Sequence, residues 1–169
     1  LCNPRPSVYA ADRRATVLSL DKFLKGQVNG PEFFEENYFT NGMLTLMDRA
    51  FRHLGGSGAG SSVFLLSQAM GGGKTHSMIA LGLLALDPEL RKGVLGDQDP
   101  APRLGPCRVV GFNGRSTDET GGIWGSIAAQ LGKAEQFARY VSPLLNAPGL
   151  EAWKQMLGGD PLVFFLDEL

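Results

Sequence analysis

The feature that most constrains this chain is residues 63–75, V-F-L-L-S-Q-A-M-G-G-G-K-T, where a short apolar run breaks into three glycines and then Lys74-Thr75. Physically this reads as a buried strand, a turn that only glycine-like backbone can make, and the first turn of a helix. In such a turn, backbone N–H groups converge with the positive end of a helix dipole, which makes a ready site for a phosphate chain. Lys74 is then placed to reach β- and γ-phosphates, and the Thr75 hydroxyl to hold Mg²⁺.

The pattern is that of a P-loop, or Walker A motif, with Gly71, Gly72, Gly73, Lys74, Thr75 and the following His76 as candidate nucleotide-binding residues. It departs from G-x-x-x-x-G-K-[ST] at one place, because Gln68 stands where the first glycine belongs. A residue with a Cβ disfavours φ > 0, so the entry geometry of the loop is affected while the Lys-Thr end is intact. A glycine-rich strand-to-helix turn carrying an ordinary surface lysine would look the same in isolation.

A second motif lies at the other end. Residues 161–169 read P-L-V-F-F-L-D-E-L, an apolar strand that runs into two carboxylates, as a Walker B motif does. A run apolar on both faces suits a parallel strand covered by helices, and ligands of such sheets sit beyond the carboxyl ends of the strands. Asp167 is the candidate to position Mg²⁺, usually through its water shell, and Glu168 the candidate catalytic residue, orienting and deprotonating water; Lys74 supports the phosphates during reaction. A buried strand ending in two solvated acids is the plain alternative. Together the motifs predict an α/β fold: a three-layer P-loop NTPase, AAA+-like, with a parallel core sheet and ATP and Mg²⁺ as cofactors.

With 169 residues and 43% hydrophobic content there is material for one globular domain. Sixteen basic residues against 17 acidic leave no electrostatic footprint for nucleic acid or membrane. Cys2 and Cys107 are too few and too far apart for a disulfide framework or a metal cluster, which fits a reducing cytosol. No run of eighteen apolar residues and no secretion signal is present, so a cytoplasmic location is expected. The chain opens at Leu1 and stops at Leu169 directly after the acid pair, which reads as a piece cut short after the Walker B strand, the remainder of the same larger chain being its first partner.

Residues 1–54 divide into an extended lead-in, a helix after a cap at Asp21 that ends across 26–31, a short turn from Pro31, and a helix over 41–54 with Thr40 as N-cap. Leu44, Met47, Phe51 and Leu54 form its expected packing stripe. Residues 55–62, G-G-S-G-A-G-S-S, are a flexible connector, and 63–169 the first part of the core. A buried helix follows from Lys74 to about residue 86. Its His76 stands where it could meet phosphates or a partner, although a helix start accounts for it equally well. Residues 87–106 read as irregular. A strand over 108–112 ends in Asn113, Gly114, Arg115 and Ser116; of these Asn113 and Arg115 are candidates for contacts near the nucleotide or a neighbouring subunit, with ordinary loop chemistry as the plain alternative. Helices are expected over about 121–133, with Trp124 as a core anchor, over 134–145 and over 149–157.

Four blocks carry a narrower resemblance: F-F-E-E-N-Y-F-T-N-G-M (33–43), G-G-G-K-T-H (71–76), I-W-G-S-I-A-A-Q-L-G (123–132) and V-F-F-L-D-E-L (163–169). The chain resembles a prokaryotic family of large AAA+-type ATPases long filed as a domain of unknown function. That resemblance implies a large cytoplasmic ATPase found beside DNA-modification and anti-phage defence genes, with DNA methyltransferase or DNA as partner, and places residues 39–43 near the adenine. Self-association is a further expectation.

Three function classes follow. The first is an ATP hydrolase that turns over to drive conformational work. The second is a nucleotide-binding switch or scaffold with little hydrolysis. The third is a P-loop kinase, which would need an acceptor pocket and lid that no sequence feature suggests. A piece ending at Glu168-Leu169 is expected to hydrolyse ATP slowly or not at all on its own.

Overall fold

The computed structural model describes residues 18–58, 61–67, 71–115, 121–140 and 147–169; the lead-in, part of the connector and Gln68 lie outside these. Three helices open the described chain, and each starts where a short polar side chain accepts from the N–H three residues on. Ser19 caps Lys22 at 3.3 Å, Asn29 caps Glu32 at 3.2 Å and Thr40 caps Met43 at 3.2 Å. They begin α1 (Leu20–Leu24), α2 (Gly30–Glu36) and α3 (Asn41–Leu54). The cap of α1 is therefore Ser19 and not Asp21, because the hydroxyl two positions earlier already satisfies the open donor. α3 has the expected cap and bounds, but its buried face is Met43, Leu46, Met47, Ala50 and Phe51, leaving Leu44 at the exposed margin.

α4 (Lys74–Leu86) is the centre of the molecule. Every residue from Ser77 to Ala85 is buried, and Gly82 lies so close to the Phe23 ring that a Cβ there would come within 2.3 Å of it. The stretch expected to be irregular contains α5 (Pro88–Leu95). Asp87 accepts from the N–H groups of Glu89 and Leu90, and Pro88 occupies the first helical position, where its missing N–H costs nothing. Asp-Pro thus begins a helix here. Arg91, 1% exposed, then gathers the following loop: its guanidinium pairs with Asp99 at 3.0 Å, donates to the carbonyls of Leu84, Ala101 and Leu104, and lies over the Phe51 ring.

β1 (Arg108–Asn113) and β2 (Leu162–Asp167) pair in parallel, with Arg108 opposite Leu162 and Asn113 opposite Asp167. Side chains alternate across this sheet as the strand period demands. Val163 and Phe165 enter the core formed with α1 to α5, while Val110, Leu162 and Phe164 face α6 (Gly122–Gln130) and α7 (Leu150–Leu157) on the other side. Gln130 closes the second edge of β1: its amide accepts from Gly111 N–H at 3.0 Å and donates to Gly111 C=O at 2.7 Å. That assigns a structural part to the glutamine of the I-W-G-S-I-A-A-Q-L-G block. Cys107, just ahead of β1, is a free buried thiol, and burial pushes its pKa up.

Three further expectations need correction. Residues 63–66 are not a strand: Val63 is 79% and Leu65 89% exposed, and of that run Leu66 packs against the core. A strand is held by its ladder, and among the described residues the sheet has two strands, neither of which pairs with this segment. The second correction concerns 134–145. Its described part is turns followed by a 3₁₀ helix at Ala138–Tyr140, since α6 closes with Gly132 in the left-handed region (φ 69°) and Lys133 turns to donate to the Met156 carbonyl of α7. Finally, Trp124 is half-buried and meets Trp153 edge-to-face at 5.3 Å, lying at the rim of the second core. No helix among the described residues is long and apolar enough to cross a membrane.

Candidate functional site

The head of α4 and the carboxyl end of β2 come together. Gly71 and Gly73 both sit in the left-handed region, φ 81° and 79°, with Gly72 between them. Only glycine adopts that conformation without strain, and a Cβ on Gly73 would meet nothing nearer than the His76 Cβ at 4.0 Å, so the need is for torsional freedom rather than space. Gly73 is the N-cap of α4 and supplies no side chain to its first N–H groups. Lys74 is the first residue of that helix and is half-buried.

Thr75, one position on, makes the contact that joins the two motifs. Its hydroxyl donates to Asp167 Oδ2 at 2.8 Å across 92 residues of chain. Asp167 is 8% exposed, and its backbone carbonyl accepts from Gly114 N–H at 2.9 Å. The pair fits a small hard cation, with the hydroxyl as a ligand and the carboxylate holding the ion's water shell. Among the described residues no group of three or more His, Cys, Asp or Glu side chains could hold a metal. Mg²⁺ is commonly bound by one or two protein oxygens, the rest coming from water and phosphate.

Glu168 follows with φ 52°, the one described non-glycine residue at positive φ, a conformation that costs an L-residue about 1–2 kcal/mol. Its carboxylate pairs with Arg115 Nε at 2.9 Å. Arg115 in turn has its backbone N–H bound by Asn113 Oδ1 at 3.0 Å, and Asn113 Nδ2 donates to Asp21 of α1 at 3.3 Å. The two polar residues singled out at the end of β1 are therefore both at the acid edge, and Asn113 is the register partner of Asp167. The Arg115–Glu168 pair was not readable from sequence, since it depends on the parallel register.

His76 points elsewhere. Its ring lies 4.7 Å from that of Phe33, and burial lowers its pKa. Phe33 meets Phe34, and Phe34 stacks on Phe39 at 5.4 Å with the rings 6° from parallel. A continuous aromatic contact thus runs from the cap of α3 to the head of α4, and His76 belongs to it. The F-F-x-x-x-x-F spacing was the available signal. A separate hollow of about 340 Å³, lined by Leu44, Met47, Leu95 and Pro100 with three polar neighbours, includes none of the loop or acid residues.

Comparison with known families bears on the first part of this arrangement. Residues 25–95 match the DUF499 N-terminal domain. DUF499 is a family of unknown function, and the matched span runs from the end of α1 through α5. It contains the glycine loop, Lys74 and Thr75 and ends before β1, so Asp167 and Glu168 lie outside it. No curated protein and no solved structure matches the chain.

Proposed function

We propose that this chain carries the nucleotide site of an AAA+-like P-loop ATPase, binding ATP with Mg²⁺ and hydrolysing it to drive conformational change. The observation that supports this reading is the 2.8 Å hydrogen bond from Thr75 to Asp167, which unites the Lys-Thr and Asp-Glu motifs at one edge. In this reading the uncapped head of α4 and Lys74 bind the phosphate chain. Thr75 and Asp167 hold Mg²⁺, which when bound supplies charge neutralisation to the β- and γ-phosphates. Glu168 orients the attacking water and takes its proton.

The switch reading is favoured by a different observation, the engagement of the Glu168 carboxylate by Arg115. It predicts ATP binding with turnover limited by that pairing. The four motif blocks support a cytoplasmic setting in DNA modification or anti-phage defence, with a DNA methyltransferase or DNA as partner.

The test uses the full-length protein. Lys74→Ala should abolish ATP binding, and undiminished affinity would remove the phosphate role. Glu168→Gln should keep binding and lower turnover by about two orders of magnitude or more, the range of a lost general base. Unchanged turnover would refute the hydrolytic assignment and leave the switch.

A further inference from the structure

We propose, independently of the ATPase reading, that Gln130 guards the outer edge of β1 against a second copy of this chain, whose own β1 would otherwise add to the sheet at Gly111. Among the described residues the sheet has two strands, so the side of β1 away from β2 is an edge. An edge strand offers unpaired N–H and C=O groups to any other strand, and R-V-V-G-F-N, branched and aromatic with its one charge at Arg108, has the composition that pairs. At Gly111 both groups point away from β2, and the Gln130 side chain takes both. It accepts from the N–H at 3.0 Å and donates to the C=O at 2.7 Å. A primary amide carries the donor and acceptor of a peptide unit, so it satisfies the position as a neighbouring strand would and then ends the ladder.

Gln130 is the last residue of α6, and its amide also donates to Ser126 Oγ at 3.1 Å, one turn back on the same helix and 8% exposed. Ser126 thereby fixes which way the amide faces. Gln130 itself is exposed, so a strand arriving from solvent meets its side chain before it meets Gly111. A second copy is the occupant that the edge specifies, because the Gly111 donor and acceptor are self-complementary. Two antiparallel β1 strands related by a twofold axis at Gly111 exchange both bonds between the two glycines, and set Val110 of each opposite Phe112 of the other.

The experiment uses the full-length protein and reads sedimentation velocity together with hydrogen exchange of the Gly111 amide, each at about 1 and about 50 µM. Gln130→Val removes both bonds and leaves the edge bare. When dilute it is expected to exchange Gly111 about two- to tenfold faster than the parent, the protection of one hydrogen bond. When concentrated it should double in mass relative to whatever assembly the parent shows, with Gly111 protected again. Gln130→Lys also loses the amide but lays a charge over the edge, and should exchange as fast while keeping the parent's size at both concentrations. Lys133→Ala frees α6 from the Met156 carbonyl, 3.0 Å away, and leaves the Gln130 bonds in place; it controls for simple loosening and should also keep the parent's size. Gln130→Val at the parent's size throughout would overturn the proposal. So would association without renewed protection of Gly111, which places the contact elsewhere, or equal association of Lys133→Ala, which makes lost stability the cause.

Discussion

Replacing Asp167 with asparagine separates a metal site from a structural hydrogen bond. Asparagine keeps an oxygen that can accept from Thr75 Oγ1 at 2.8 Å, so what is removed is charge. Without nucleotide that change should be nearly neutral. A hydrogen bond to a charged acceptor contributes about 1.5–3 kcal/mol against about 1 kcal/mol for a neutral one, a loss of about 1 kcal/mol. Against it stands the relief of a carboxylate that is only 8% exposed and carries a desolvation cost. For Mg-ATP the balance is different. A dipositive ion about 4 Å from the carboxylate loses about 2 kcal/mol of attraction even at the dielectric of water, about thirtyfold in affinity, and more if the site is drier. The assay is ATP affinity of the full-length protein as a function of Mg²⁺, beside urea unfolding without nucleotide. Mg²⁺ should tighten ATP binding in the parent and fail to do so in Asp167→Asn, while the unfolding free energies agree within about 1 kcal/mol. Equal Mg²⁺ dependence in the two proteins would refute the metal role. A loss of more than about 2 kcal/mol without nucleotide would mark Asp167 as structural instead.

Gly73→Ala forces a left-handed residue at φ 79° and should cost about 1–2 kcal/mol, read by calorimetry as at least a tenfold loss of ATP affinity if the loop shifts to relieve it. Arg91→Ala leaves Asp99, 5% exposed, without its guanidinium and three carbonyls without their donor; a loss of about 3–5 kcal/mol should appear in the urea midpoint. His76 has its pKa lowered by burial, so below about 6.5 the unfolded chain takes up a proton that the folded one resists, and stability should fall as pH drops from 7 to 5. His76→Phe, which preserves the contact with Phe33, should flatten that slope by its share, as measured by unfolding at a series of pH values.

Local signals were legible where one side chain decides the structure. Thr40 ahead of an apolar 3.6-residue period gave α3 its start, and the glycines before Lys74-Thr75 gave α4 its head. The same rule is ambiguous at Asp87-Pro88: a dipeptide that breaks one helix also caps the next, and the two readings differ only in whether the following residues find a core, which Arg91 provides. The face of α3 is not legible in the sequence because Leu44 and Met43 are both apolar, and only packing against the neighbouring elements selects between them. Contacts that require two distant segments, such as Gln130 on Gly111 or Arg115 on Glu168, leave no periodic trace in sequence.

The exposed 63–66 run shows which elements build the candidate site. If the glycine loop were positioned by the segment before it, exposure of Val63 and Leu65 would leave the loop unsupported. It is positioned from the other side instead. α4 is fixed along its length by burial, against Phe23 at Gly82 and against Phe33 at His76, so its head is placed whatever the preceding residues do. Asp167 reaches Thr75 because β2 pairs with β1 in one register, and that register is set by Val163 and Phe165 entering one core while Leu162 and Phe164 enter the other. A slip by one residue would exchange the two sets and carry the Asp167 carboxylate to the opposite face, away from the hydroxyl it now accepts from. The convergence of the two motifs is thus a consequence of core packing on both sides of two strands, and mutations that disturb Phe165 or Phe164 should weaken Mg²⁺-dependent ATP binding without touching either motif.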